Sequence, residues 1–454
     1  MNLKKNDFLK LNILSLSSEG SGVARTDEGI TVFVPNSAVG DELNVRIVKV
    51  QKTYAFGKVE EILAPSADRI SPSCEVGNQC GGCVYSHISY DAELKAKEQR
   101  VKDAIERIAK LDVPVNPIVS TGEVSRYRNK AMIPAGLDKD GNVIMGFYSK
   151  HSHRIIANDD CSLQPVCFIK AQNILKSFLE SKNISVYNEA THKGLFRHLY
   201  LRLAESTGEL MITLVINGKD LPYSDVLVES FKAEIPELKS VIINTNTEDT
   251  NVVLGKKNKT LYGEGYITDI LCGLKFKISP QSFYQVNRKG AELLYSKAAE
   301  YADLKGDEVL LDLYCGTGTI GLSMVHKTKR LIGVEIVPKA IEDAKENAKL
   351  NSIENSRFIC GDAAKAAETL KAEGLTPDVI IIDPPRKGCD KSLIKTISDF
   401  NPQRVVYVSC DPATLARDLA VFTELGFKAY EVTPVDMFPR TSHVECVVKL
   451  SKTE

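Results

Sequence analysis

The sequence predicts a multidomain chain: a small β-barrel over residues 1–63, a central α+β domain over residues 64–272 and a doubly wound α/β domain over residues 273–454. Three observations carry this. Apolar strand-like runs alternate with helix-like stretches through the C-terminal part, as in a parallel sheet covered on both faces. Short alternating segments separated by glycine turns fill the N-terminal part. The stretch between them mixes strands and helices without that order. A chain of 454 residues is long enough for two or three full cores.

The α/β domain is organised around residues 309–321, Val-Leu-Leu-Asp-Leu-Tyr-Cys-Gly-Thr-Gly-Thr-Ile-Gly. Val309, Leu310 and Leu311 read as a buried parallel strand that Asp312 closes. Gly316 and Gly318 let the backbone turn tightly and approach a ligand where a Cβ would collide. The next strand, Arg330 to Glu335, ends in an acid placed to bind a ribose hydroxyl pair. The glycine spacing is wrong for a dinucleotide fingerprint. Asp-x-x-x-Gly-x-Gly with a later Glu suits S-adenosylmethionine (SAM). A helix over 338–350, a third strand ending at Asp362, a fourth ending at Asp383 and a fifth ending at Cys410 complete a Rossmann-like sheet. Its ligand belongs at the carboxyl ends of the strands, where Asp362 can reach an adenine amino group. Residues 279–287 precede a helix that runs to about Tyr301 and put polar side chains beside the first strand.

Hydrophobic content of 43% and charged content of 26% describe a soluble globular protein. No apolar run reaches membrane-spanning length and no signal peptide is evident, so a cytoplasmic, membrane-free protein is expected. A net charge of −1 supplies no global field for nucleic acid, so any such binding must come from local patches. Eleven cysteines in this setting point to metal binding or catalysis rather than disulfides.

In the N-terminal part, Leu43, Val45 and Ile47 alternate with Asn44 and Arg46, and Thr31–Pro35 and Tyr54–Val59 read as further strands. With Arg25, Arg46, Lys49, Lys52 and Lys58 outward, this stretch resembles the TRAM module, an OB-like barrel that binds RNA. Next, Cys74, Cys80 and Cys83 surround a Gly-Gly turn, and the distant Cys161 closes a four-thiolate set, with Cys167 as a competing ligand. Zinc and a [4Fe–4S] cluster both accept such a set. A helix over 91–110 carries a stripe of Leu94, Val101, Ile105 and Ile108 and is expected to pack against the metal loop. Residues 199–204 and 209–217 read as a hairpin. Three segments, 125–130, 147–154 and 196–202, mix cations with aromatics as nucleic-acid surfaces do.

A thiol at the end of a buried strand, Cys410, sits across one crevice from the Asp383-Pro-Pro loop. Nitrogen and oxygen acceptors need no thiol to take a methyl group. Carbon 5 of a pyrimidine does, because thiolate addition at carbon 6 turns the ring into an enolate. A base must then remove the carbon-5 proton, and Glu445, in the apolar terminal strand, is the candidate. Asp-Leu-Tyr-Cys-Gly-Thr-Gly, Asp-Pro-Pro-Arg-Lys-Gly, Tyr-Val-Ser-Cys-Asp-Pro and Phe-Pro-Arg-Thr-Ser-His-Val-Glu together resemble the RNA 5-methyluridine methyltransferase family. The barrel and cysteine set resemble its ribosomal branch. The resemblance implies Cys410 as nucleophile and Glu445 as base, and SAM contacts at Gln285, Tyr314, Glu335, Asp362 and Asp383. It also implies a [4Fe–4S] cluster on Cys74, Cys80, Cys83 and Cys161, with a uridine of 23S rRNA, flipped out of a single-stranded loop, as substrate. The tRNA branch typically lacks barrel and cysteines, which argues against tRNA. Competing readings are SAM-dependent nitrogen methylation, which leaves Cys410 and Glu445 idle, and an RNA-binding protein with a relict SAM fold. Nothing in the sequence demands a dimer.

Overall fold

The computed structural model describes residues 3–150 and 152–453. The first strands form a six-stranded sheet over Phe8–Ala64. Phe8–Asn12 and Ser15–Leu16 lie at opposite ends of its strand order yet are joined by two residues, so the sheet must curl until its edges approach. Leu43, Val45 and Ile47 fill its interior with Leu11, Val32 and Val34, as the alternation predicts.

The central sheet has seven strands. In spatial order they are Ile155–Ala157, Val143–Tyr148, Lys130–Leu137, Phe196–Ala204, Glu209–Ile216, Leu238–Thr245 and Lys257–Tyr262. Helices Val166–Ser181 and Ser224–Glu234 cover one face, burying Phe168, Leu175, Leu227 and Phe231 against Leu199, Leu201 and Ile212. Ala204 pairs with Glu209, which makes the expected hairpin.

The large sheet has eight strands. Ser356–Cys360, Arg330–Glu335, Val309–Leu313, Val379–Ile382 and Arg404–Ser409 run parallel in that order. Glu445–Lys452 follows antiparallel, then Phe427–Asp436, then the short Val119–Ser120. The strand order reverses beside Val309–Leu313, which opens the crevice there.

Two expectations change. The helix Tyr90–Ala104 does not spend its apolar stripe on the cysteine loop: Val101, Ala104, Ile105 and Ala109 pack into the core of the large sheet with Leu415 and Leu419. A π-turn over Ile105–Ala109 inserts an extra residue per turn, so Ile108 rotates to solvent at 48% exposure. Its buried face continues instead through Glu93 and Lys97. With Val119–Ser120 at the sheet edge, residues 90–120 therefore belong with the α/β domain rather than the central one. The boundary at 272/273 also falls in the turn of an antiparallel hairpin, Ile267–Leu271 with Leu274–Ile278, which shares a core with helix Arg288–Ala302.

Candidate active site

At the end of strand Val309–Leu313, Tyr314, Gly316 and Gly318 all take positive φ (66°, 56° and 82°). A tyrosine held there stores about 1–2 kcal/mol of backbone strain, a cost borne where a loop must follow one path. Asp312 Oδ2 accepts the Gly321 N–H at 2.9 Å, while Oδ1 is buried without a partner. Burial pushes the Asp312 carboxyl up to about 8, aided by Asp383 and Glu335. Glu335 grips the loop through Gly316 N–H (3.2 Å) and its own turn through Val337 N–H (2.9 Å). Burial lifts Asp383 to about 7. Asp362 is exposed and caps helix Ala363–Ala372 through Lys365 N–H at 3.2 Å. Burial, then Cys389, Asp390 and Asp362, push the Tyr314 phenol up.

The Tyr295 hydroxyl meets Thr319 Oγ1 at 2.9 Å, and the Gln285 side chain is near enough to act on it. Asp383 acts on the same phenol. Gln285, Thr319 and Asp383 thus converge on Tyr295, a residue in mid-helix that no motif marked. Asp312, Glu335 and Asp383 line this crevice with carboxyls, two of them raised by burial so that a bound cation would draw them to their ionised form, and the unpartnered Asp312 oxygen lacks only a donor. SAM, with its ammonium and sulfonium charges, fits that set.

Cys410 follows strand Arg404–Ser409 and precedes helix Pro412–Glu424, which Asp411 caps through Ala413 N–H (3.0 Å) and Thr414 N–H (2.9 Å). Ser409 pairs with Cys446 across antiparallel strands, so one step further the register sets Cys410 opposite Glu445. Burial pushes the thiol up to about 11, with Glu445 and Asp383 adding to the rise and Arg386 opposing it. Glu445 is itself buried and lifted to about 8 by burial and then by Asp383, again against Arg386. His443 is driven down to about 4 by burial and by the cations Arg386, Arg100, Lys97 and Arg128, so its ring is neutral near pH 7.

A cavity of about 390 Å³ opens on Cys410. Arg386, Ser442 and His443 line it from the α/β domain, Val84 from the cysteine loop, Lys150 from the central domain, and Ser18 and Glu19 from the curled sheet. That volume is within the range of small-ligand pockets, about 300–1,000 Å³. All three parts of the chain meet at the thiol.

The basic segments fare differently from expectation. Arg126 binds Cys161 O (2.9 Å), Gln164 O (2.8 Å) and Asp160 (2.7 Å). Arg197 is buried over the Tyr187 ring at 4.1 Å and holds Asn246 O and Glu248 O, each at 2.9 Å. Arg202 is buried against the Tyr200 hydroxyl and Ser282 O. These cations serve the fold. Lys150 reaches the cavity, and His151 lies outside the described residues.

Cys74, Cys80, Cys83 and Cys161 are half-buried and close enough that burial first, then Cys161, Cys80 and Cys74, push Cys83 up to about 12. Cys80 Sγ accepts the Gly82 N–H at 3.4 Å, and Gly81 N–H donates to Tyr148 O at 3.0 Å. A Cβ on Gly81 would lie 3.1 Å from Lys150 Cα, which is why a glycine stands there. Among the described residues no group of three or more Cys, His, Asp or Glu side chains is placed to hold a metal ion, so the structure does not show the expected four-thiolate site. Cys167 is packed in the central core beside Phe168 and is no competing ligand.

The family model for tRNA (uracil-5-)-methyltransferases matches residues 89–453, and that for the TRAM domain matches residues 6–59. The first match starts at the helix that packs on the large sheet. An uncharacterized RNA methyltransferase of Halalkalibacterium halodurans is 46% identical over 99% of this chain and 98% of its own length. One from Clostridium tetani is 45% identical over 99% and 97%. Among solved structures, the Pyrococcus abyssi tRNA (uracil-54, C5)-methyltransferase in complex with S-adenosyl-L-homocysteine aligns with a TM-score of 0.78 and 27% identity, over 97% of this chain and 99% of that one. A protein named for tRNA thus shares the whole architecture, so the presence of a barrel does not by itself argue against tRNA. Among the described residues no helix is long and apolar enough to cross a membrane. The chain belongs to the RNA uracil-5 methyltransferase family, as a SAM-dependent enzyme with an N-terminal TRAM domain.

Proposed function

We propose that this enzyme methylates carbon 5 of a uridine in 23S rRNA, with Cys410 as nucleophile and Glu445 as base. The observation that supports the roles is their proximity: Glu445 starts the strand paired beside the one that ends just before Cys410, its carboxyl acts on the thiol, and that thiol opens on the cavity. Cys410 adds through sulfur to carbon 6, and the ring's electrons move to carbon 5. Bound SAM supplies an electrophilic methyl group to that carbon. Glu445 then takes the carbon-5 proton. The electrons of that C–H bond restore the double bond, and the Cys410 thiolate leaves. A carboxylate lifted to about 8 is a stronger base than an exposed one and suits a proton on carbon. Gln285, Tyr314, Glu335, Asp362 and Asp383 hold SAM, and the target uridine is flipped to reach the thiol. Lys150, at the cavity, grips a flanking phosphate.

Cys74, Cys80, Cys83 and Cys161 hold a [4Fe–4S] cluster with a structural role. A cluster takes one thiolate per iron, so its ligands stand apart, whereas zinc gathers four at about 2.3 Å from one point. The Gly82 N–H donated to Cys80 Sγ suits a thiolate ligand there. Visible absorption with iron and sulfide in anaerobically purified protein is expected; a colourless zinc protein would overturn it. The same reading makes the enzyme a cytoplasmic monomer.

Support for rRNA is the joint presence of barrel and cysteine set. A tRNA uridine is the second reading, favoured by the full-length match to the Pyrococcus abyssi enzyme. Total RNA from cells lacking the protein, incubated with it and methyl-labelled SAM, separates them. We expect labelled 5-methyluridine in 23S rRNA. Label confined to tRNA would select the second reading, and label in a nitrogen-methylated base would overturn the thiol mechanism.

A further inference from the structure

The segment from Met437 to His443, which leads into Glu445, has no regular structure, yet its backbone is fastened along its length. Asn287 Nδ2 donates to Met437 O (3.1 Å) and Lys97 Nζ to Phe438 O (3.2 Å). The Tyr127 hydroxyl donates to Pro439 O (2.9 Å), Val84 N–H to Arg440 O (2.9 Å) and Arg100 Nη1 to Ser442 O (2.8 Å). Lys97 is the centre of this arrangement. Its Nζ lies 2.7 Å from both Glu93 Oε1 and Asp436 Oδ1, and all three side chains are fully buried. Glu93 Oε1 also accepts the Arg440 N–H (2.7 Å), and Asp436 Oδ1 the Phe438 N–H (3.1 Å). Asp436 Oδ2 accepts the Tyr90 hydroxyl (2.7 Å).

We propose that Lys97 is a positioning residue for the second half of the reaction: it sets the 437–443 segment and, through it, where Glu445 stands against carbon 5. This rests on Glu445 being the base. Buried ion pairs are a poor source of stability compared with apolar packing of the same volume, so a fully buried triad calls for a conformational purpose. Here one cation ties the last residue of strand Phe427–Asp436 to the backbone two residues on, and to the helix underneath. Cys410 is placed by groups other than Lys97: strand Arg404–Ser409, the Ser409 hydroxyl on Asp411, the helix that Asp411 caps, and Arg100, which reaches Asp411 at 3.6 Å. Among the described residues Lys97 Nζ bonds only Glu93, Asp436 and Phe438 O. Loosening Lys97 therefore acts on proton removal and spares thiol addition and methyl transfer. The covalent Cys410–RNA adduct should then outlive its normal time, because the carbon-5 proton leaves slowly and the C–S bond cannot break until it does.

The test is single-turnover methylation by the full-length enzyme with unmodified rRNA and methyl-labelled SAM. Label entering RNA and SDS-stable protein–RNA complex are followed together. For K97M we expect label to enter at close to the wild-type rate, release of free methylated RNA to slow by about 10- to 100-fold, and complex to accumulate. K97R should restore most of the release rate. Parallel loss of both steps, or no change in either, would overturn the proposal. If K97M does not fold, D436N is read by the same two outcomes. Wild type and E445Q run alongside. If E445Q accumulates no complex, the base assignment fails and takes this proposal with it. If E445Q traps complex and neither K97M nor D436N does, only the role of Lys97 fails.

Discussion

Cys410 and Glu445 lie beside each other just past the Ser409–Cys446 pair that ends an antiparallel ladder, close enough that the carboxyl adds to the burial that pushes the thiol up. The thiol hangs at a strand's carboxyl end, where parallel α/β sheets place ligands. The carboxylate begins the strand that returns beside it. One antiparallel strand thus brings the carboxyl beside the thiol.

Replacing Cys410 by Ala removes the nucleophile. We expect methylation to fall by more than about 10³-fold while SAM affinity, measured by calorimetry, stays near wild type. Substantial residual turnover would point to an acceptor that needs no thiol.

The pH profile follows from Glu445. It must be ionised to accept a proton, and burial lifts it to about 8. Turnover should climb between pH 6 and 8.5, with Glu445 alone contributing about one decade per pH unit below 8. The Cys410 thiol, raised to about 11, steepens rather than flattens that rise. A flat profile with proton removal rate-limiting would contradict the assigned base.

Stability moves the other way. The folded enzyme holds a proton on Glu445 that the unfolded chain releases near pH 4.5, so this group opposes folding progressively as pH rises towards 8. Glu445→Gln should therefore gain melting temperature over wild type at pH 8.5 and gain little at pH 5. Each kcal/mol recovered corresponds to about 2–4 °C. Differential scanning calorimetry at the two pH values reads this directly.

Asp312→Asn keeps the shape and removes a carboxyl that could ionise against a cation beside the glycine loop. The unpartnered Oδ1 would no longer meet a cationic cofactor, and we expect SAM binding to weaken by about 1.5–3 kcal/mol. Unchanged affinity would mean that Asp312 serves only the Gly321 turn.

Cys83→Ala and Cys167→Ala separate ligand from packing. Iron content should fall in the first and persist in the second, whose thiol sits in the central core. Equal loss in both would show that iron follows fold integrity rather than ligation.

Much of the site was local in the sequence. The strand–loop–helix at Asp312, the acids closing successive strands and the thiol before Asp411-Pro412 are set by neighbours a few residues away. The same holds for alternation in residues 42–50, because one face of a strand is read directly from every second residue. What the tertiary structure alone decided was the fate of charge. Lys97 and Glu93 look like the wet face of a helix, yet Lys97 finds Asp436 339 residues away and is buried with it. Arg126, Arg197 and Arg202 look like a nucleic-acid grip, yet distant carbonyls claim them. Helical periodicity reports only neighbours three or four residues apart. Whether a charge meets water or a buried partner depends on chain crossings far beyond that range.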